Sequence, residues 1–136
     1  PLRALQITTD VYPGFPTDLQ AQMTSVLCCA EGYSHVRETI FESRLRHVGE
    51  LMRLGAAITI SGDTAIVSGR TGELVGTQVQ AHDLRCAAAL VIAGLMASGE
   101  TIIDGLRFLL RGYERLPQKM AGIGGHVEYV GAEVSA

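Results

Sequence analysis

Tryptophan is absent from these 136 residues, phenylalanine and tyrosine number only three and four, and lysine occurs once, at Lys119. So thin a set of rings and a formal net charge of −3 weigh against a nucleic-acid binder, which needs a basic face and aromatic platforms. Cysteine is scarce as well. Cys28, Cys29 and Cys86 are odd in number and form no C-x-x-C pair, so a disulfide framework or a zinc ribbon is not expected, and a reduced, cytoplasmic setting is. No apolar run approaches the roughly 18 residues of a membrane helix, and the segment opening on Pro1 has no signal-peptide pattern. What is present is an ordinary globular composition, 47% hydrophobic and 18% charged. The length suits one domain burying roughly two-thirds of its unfolded surface.

The scarcity of lysine has a counterpart: ten of the eleven basic residues are arginine. Codon usage alone can produce that ratio. Arginine also presents a planar fork of donors matched to carboxylates and phosphates, so single positions must make any functional case.

Residues 2–8 alternate as a strand does, and Pro13, Gly14 and Pro16 force a loop after them. Thr17 with Gln20 three positions on reads as a capping box, with Asp18 in the first turn. Leu19, Met23, Val26, Leu27 and Ala30 then trace the apolar stripe of a helix ended by Gly32. A strand over 35–41, a helix over 48–54 stopped by Gly55, and a hairpin pairing 57–61 with 65–68 around Gly62-Asp63 complete the first half.

The second half repeats the first. A strand over 77–80 precedes a helix opened by His82-Asp83, whose stripe is Leu84, Ala88, Val91, Ile92 and Leu95, each 65 positions after its counterpart. Gly99 follows Gly32 by 67, Arg111 follows Arg44 by 67 and Gly124 follows Gly55 by 69, with strands expected over 101–104 and 126–130. The expected class is therefore α/β, a βαβαβ-type unit repeated twice over about 1–70 and 76–131, with two strands closing the first copy and Arg70 to Gly76 as connection.

The duplication places chemistry. Each long helix begins Asp-Leu, at Asp18-Leu19 and Asp83-Leu84, and each copy carries an Arg in the loop after its second strand, Arg44 and Arg111. An Asp at a helix start is commonly a cap worth about 0.5–2 kcal/mol, and loop arginines are commonly just solvated. Together with Arg85, two helix starts and these arginines would form an anion site with an ionised carboxylate beside it, able to act as a base toward a hydroxyl. The cysteines lie on apolar helix faces and are expected as buried small hydrophobes. His35, His47, His82 and His126 lack metal-ligand spacing, so neither a metal nor a cofactor is called for. Gly122-Ile123-Gly124-Gly125 follows a helix and precedes a strand, the reverse of a nucleotide-binding loop, and reads as a C-cap and turn.

Four segments carry a resemblance: Pro16-Thr17-Asp18-Leu19-Gln20-Ala21-Gln22, Glu38-Thr39-Ile40-Phe41-Glu42-Ser43-Arg44, Asp83-Leu84-Arg85 and Arg111-Gly112-Tyr113-Glu114-Arg115. In this order they resemble the C-terminal third of the UDP-N-acetylglucosamine 1-carboxyvinyltransferases, the enolpyruvyl transferases that open peptidoglycan synthesis. The resemblance spans essentially the whole chain. It implies an inside-out α/β barrel, of which this chain supplies two of three repeated units, and an active site shared with the N-terminal remainder of the enzyme. It also implies the substrates, UDP-N-acetylglucosamine and phosphoenolpyruvate, with no nucleic acid or membrane partner. Asp18 would face the sugar 3-hydroxyl as its general base, Ile40 would contact the nucleotide through its backbone with Phe41 beside it, and Asp83 and Leu84 would line the reacting centre. Arg85 and Arg111 would hold the carboxylate and phosphate of phosphoenolpyruvate, and Arg44 would complete the positive wall.

The loop sequence Phe41-Glu42-Ser43-Arg44 departs from the Lys-Glu-Ser-Asp-Arg type of the shikimate-pathway relatives, which favours the cell-wall reading. Ser43 stands where that family usually has Asn, Leu110 where it has Asp, and Pro117 falls inside the expected last helix, where only the first turn tolerates it. The family's N-terminal Lys-Asn pair and its reactive, mobile-loop Cys have no counterpart here. The chain alone is thus expected to be inactive and, with apolar surface exposed, to self-associate. The alternatives are a stand-alone anion-binding or assembly module on the same fold and the shikimate-pathway enolpyruvyl transferase.

Overall fold

The structure is a computed structural model that describes residues 2–40, 45–70, 74–113 and 115–130. The first half runs β1 (Gln6–Thr8), α1 (Gln20–Leu27), β2 (Gly32–Arg37), α2 (His47–Arg53), β3 (Ala57–Ser61) and β4 (Thr64–Gly69). The second runs β5 (Gln78–Gln80), α3 (Leu84–Met96), β6 (Ile102–Asp104), α4 (Leu106–Gly112) and α5 (Leu116–Ala121). One four-stranded sheet has the order β1-β2-β4-β3, and β5 and β6 form a second, two-stranded sheet.

The repeat is visible in the pairing. β1 runs parallel to β2, with Ile7 opposite Val36; β5 runs parallel to β6, with Val79 opposite Ile103. Each parallel pair is bridged by a long helix, α1 or α3, because parallel strands need a crossover. The hairpin of β3 and β4 is antiparallel around Gly62-Asp63, where Gly62 takes a positive φ of 60°. It joins the first sheet through β4 and β2. Ser34, Val36, Ala65, Val67 and Ile58 turn one sheet face to the core while Tyr33 on the other face stays outside, so the sheet is a cover and the helices are central. No helix among the described residues is long and apolar enough to cross a membrane.

Several local expectations change. The first helix buries part of its expected stripe: Leu27 and Ala30 are buried and Met23 packs on the core, but Leu19 is 51% exposed, and the buried face of the helix also takes in Gln20, Ala21, Thr24 and Ser25. That small, polar face lets α3 come close. Its hydroxyls are satisfied, Thr24 donating to the Gln20 carbonyl (2.8 Å) and Ser25 to the Ala89 carbonyl of α3 (2.7 Å), so their burial carries no desolvation penalty. In α3 the expected Leu84 and Leu95 are partly exposed, while Cys86 to Val91 and Ala93 are buried between α1, α2 and α4.

Gly32 opens β2 rather than ending α1. Residues 126–130 alternate in exposure as a strand would yet join no ladder among the described residues. Arg111 lies in the last turn of α4, not in a loop. Pro117 is tolerated because it falls at the second position of α5, where its missing N–H is one of the unbonded four. The glycine run ends α5: Gly122 is its C-cap, Gly124 has φ 89°, and the Gly125 N–H closes on the Met120 carbonyl at 2.8 Å. All three cysteines are buried thiols, and burial with the neighbouring Cys29 pushes Cys28 up to about 12.

Candidate functional site

The starts of the two crossover helices lie side by side. Before α3, Asp83 is in extended backbone, and its carboxylate accepts the Cys86 N–H at 2.8 Å, the N-cap expected of it. Before α1 the equivalent cap does not form. A short 3-10 turn over Thr17–Leu19 leads into the helix, and neither end has a side-chain cap. Thr17 and Gln20, read as a capping box, both turn instead to Glu38.

Glu38 is the organising residue here, and nothing in the sequence reading gave it a role. It sits just past β2 and is 5% exposed. One carboxylate oxygen accepts from the Thr17 hydroxyl (2.7 Å) and the Gln20 amide (3.2 Å); the other accepts from the Thr9 hydroxyl (2.7 Å) and the Ile40 N–H (3.1 Å). Burial raises the carboxyl's pKa, but these four donors outweigh it and leave it below the ordinary range. Thr9 is tied in further by the Thr39 N–H (2.8 Å) and by a Thr39 hydroxyl bond to its carbonyl. One carboxylate thus pins the end of β1, the loop after β2 and the entry to α1. The signal available in the sequence is an ionisable residue in the middle of the stretch 35–41 that otherwise reads as a strand.

With Thr17 held, Asp18 reaches across the repeat. Arg85, in the first turn of α3, places Nε 2.9 Å and Nη2 2.6 Å from one Asp18 carboxylate oxygen. The pair is open to solvent, with the Asp18 side chain 72% exposed, so its contribution to stability is about 0–1 kcal/mol. Its importance is positional: it joins residues 67 apart, one from each unit.

Beside this pair lies a small cleft, open to solvent, lined by Thr17, Gln20, Ala21, Arg46, His47, Asp83, Arg85 and Cys86. Its walls come from the entries of α1, α2 and α3. His47 has no metal-ligand spacing in the sequence, yet it is 3% exposed at the start of α2 and lines this cleft. Leu84, next to the lining residues Asp83 and Arg85, does not itself line the cleft and packs on the backbone of Gly112, where a Cβ would collide with the leucine side chain. That contact brings the end of α4, and with it Arg111, next to the start of α3, although Arg111 does not line the cleft. Ile40 is positioned through its N–H on Glu38. Phe41 and Arg44 lie outside the described residues. Among the described residues no cluster of His, Cys, Asp and Glu could hold a metal ion.

Paired parallel strands crossed by central helices, duplicated within one chain, with an acid–arginine contact between copies, define the carboxyvinyltransferase class. The chain belongs to the family described as EPSP synthase (3-phosphoshikimate 1-carboxyvinyltransferase), whose profile it matches over residues 1–120.

Within that family it is similar to proteins named for the UDP-sugar reaction. It is 54% identical over 133 residues to UDP-N-acetylglucosamine 1-carboxyvinyltransferase 2 of Mesorhizobium japonicum, covering 97% of this chain and 31% of that protein. It is 51% identical over 126 residues to the Deinococcus radiodurans UDP-N-acetylglucosamine 1-carboxyvinyltransferase, covering 93% and 29%. Among solved structures, the enolpyruvyl transferase NikO from Streptomyces tendae superposes with a TM-score of 0.84 at 30% identity over 97% of this chain and 30% of that one. The EPSP synthase from Acinetobacter baumannii, at 21% identity and TM-score 0.75 over 82% and 27%, shares the fold. The chain therefore spans about a third of the length of the curated relatives it matches.

Proposed function

We propose that this chain supplies one wall of the split active site of a UDP-N-acetylglucosamine 1-carboxyvinyltransferase, as two repeated units over about 1–70 and 76–131, and that it does not turn over alone. The observation that carries the reading is the Asp18–Arg85 contact between the two units at the edge of the cleft. It puts a carboxylate able to take a hydroxyl proton beside a guanidinium able to hold an anion. The identities of 51–54% to relatives named for the UDP-sugar reaction, against 21% to an EPSP synthase, favour that acceptor over shikimate phosphate.

In the complete enzyme the sugar 3-hydroxyl oxygen bonds to C2 of phosphoenolpyruvate as its proton leaves toward Asp18 and a second proton is added at C3. Loss of phosphate from the tetrahedral ketal, with a C3 proton, restores the double bond. Arg85 and Arg111 hold the carboxylate and phosphate, with Arg44 alongside. Asp83 and Leu84 border the reacting centre, and Ile40 and Phe41 border the nucleotide. Fixed guanidinium donors answer the charge that develops, each worth about 3 kcal/mol of barrier. In the structure Arg85 is occupied by Asp18, so an arriving anion takes the guanidinium and releases the carboxylate for the hydroxyl. The general acid and remaining substrate contacts come from the rest of the enzyme, in the cytoplasm, where peptidoglycan precursors with a UDP carrier are made.

Isothermal titration with UDP-N-acetylglucosamine tests this. Saturable binding is expected once the N-terminal part of the enzyme is supplied, with at most weak binding to this chain alone. Phosphate release from phosphoenolpyruvate is expected only with the reassembled protein and this acceptor. Turnover with shikimate 3-phosphate instead, or no complementation at all, overturns the reading.

A further inference from the structure

We propose that His47 is a ligand-contacting residue of this cleft, its Nε2 donating a hydrogen bond to a phosphoryl oxygen held between Arg46 and Arg85. The inference rests on the reading of the cleft as an anion site. His47 is 3% exposed, lines the cleft, and its buried Nε2 has no hydrogen-bond partner among the described residues. A buried ring nitrogen left unsatisfied is destabilising, a cost removed when something enters the cleft and accepts from it. The residues around it limit what that is.

Arg46 precedes the imidazole in sequence and Arg85 lies on α3 opposite, both lining the same space, so the visitor carries negative charge and several acceptor oxygens. A tetrahedral phosphoryl group offers enough oxygens for two guanidinium groups and a third donor at once. Asp83 on α3 and Glu38 beyond β2 are the carboxylates facing the ring, and Cys86 is the other titratable group lining the cleft. Burial draws the imidazole pKa down to about 4 against the pull of those two carboxylates, so at neutral pH the ring is uncharged with a single N–H. An uncharged ring serves a phosphoryl oxygen only as a donor. The tautomer with its proton on Nε2 is therefore the one assigned. A neutral donor adds direction without a further positive charge in a space that already holds two arginines.

The test uses the 136-residue chain and inorganic phosphate as probe. Ring nitrogen–proton correlation spectra are expected to show His47 neutral with its proton on Nε2, and that signal should move saturably as phosphate is added, together with the Arg85 Nε signal. His47→Gln, which keeps a donor near the Nε2 position, should hold phosphate within about twofold of the parent. His47→Leu should weaken it by roughly fivefold or more, the loss of one neutral hydrogen bond. A purely structural histidine predicts equal phosphate affinity in both variants and a still His47 signal. If Arg85 responds while His47 does not, or if the proton sits on Nδ1, this proposal fails and the anion site stands. If neither signal responds, the site reading fails with it. The spectra of the unsubstituted chain decide the matter even where His47→Leu does not fold.

Discussion

At the scale of single residues, the fold displaces the protonation of His47, in the cleft wall, and of Glu38 behind it. His47 is the larger case. In the unfolded chain its imidazole takes a proton near 6.5, whereas burial delays this in the folded chain until about pH 4. The folded-state pKa is depressed, so the unfolded state binds more protons between these values. The contribution of His47 is complete above pH 6.5 and drains away as pH falls toward 4, a loss of roughly 3 kcal/mol across the window. Glu38 is also depressed, by its four donors against the opposing effect of burial. Its contribution is present above the ordinary carboxyl range and is lost only as pH falls below it, so the two steps separate. Urea unfolding at several pH values should show stability falling from pH 6.5 toward 4.5 in the parent and nearly flat over that range in His47→Gln. An unchanged slope in the variant would mean that another group carries the titration.

At the scale of elements, the close approach of strand to helix rests on missing side chains. Gly69 ends β4 against the end of α1, and a Cβ there would run into the backbone carbonyls of Leu27 and Ala30. Neither carbonyl can step aside without moving the helix end. Gly69→Ala should therefore cost roughly 1–3 kcal/mol and lower the Tm by about 5–10 °C. Gly49 is the opposite case. It lies within α2 with nothing within 4 Å of an added Cβ, so Gly49→Ala should raise stability by about 0.5–1 kcal/mol by restricting the unfolded chain. Calorimetry on the two variants checks both signs.

The elements themselves were largely legible, because period-2 and period-3.6 patterns and the glycine stops are local, and the duplication at offsets of 65 to 69 supplied the topology. The buried face of α1 was not legible. Hydrophobicity selects Leu19 and Val26, whereas the helix is oriented by Ser25 on the Ala89 carbonyl, a partner 64 residues away that no window contains. The same reason hid the site's centre. Thr17 and Gln20 match a local capping pattern, but a buried carboxylate at Glu38 offers both a better acceptor, and His47 acquires meaning only when three helix entries converge around it.

At the scale of the whole molecule, the two units end differently. The first sheet closes with a hairpin, while among the described residues the second has only β5 and β6, fewer strands than a sheet normally needs to stand independently. Both units expose apolar side chains, and on the second Val75 is 58% exposed, Ile102 50%, Leu95 41% and Ile123 79%. A short open edge flanked by such residues is a template for pairing with another chain, and the only lysine, Lys119, lies on α5 rather than on that edge, so no lysine guards it. The chain alone should therefore associate with itself reversibly. Sedimentation velocity from about 10 to about 200 μM should show a mass rising above 14.5 kDa with concentration. Ile102→Lys, a charge placed on the exposed side of β6, should return it toward the monomer with little change in unfolding midpoint, since a half-exposed position contributes little to the core. A single 14.5 kDa species at every concentration would mean that this edge is already protected within one chain. Association that persists in Ile102→Lys would move the contact to the β1 side of the first sheet, where Leu2 and Leu5 are half exposed.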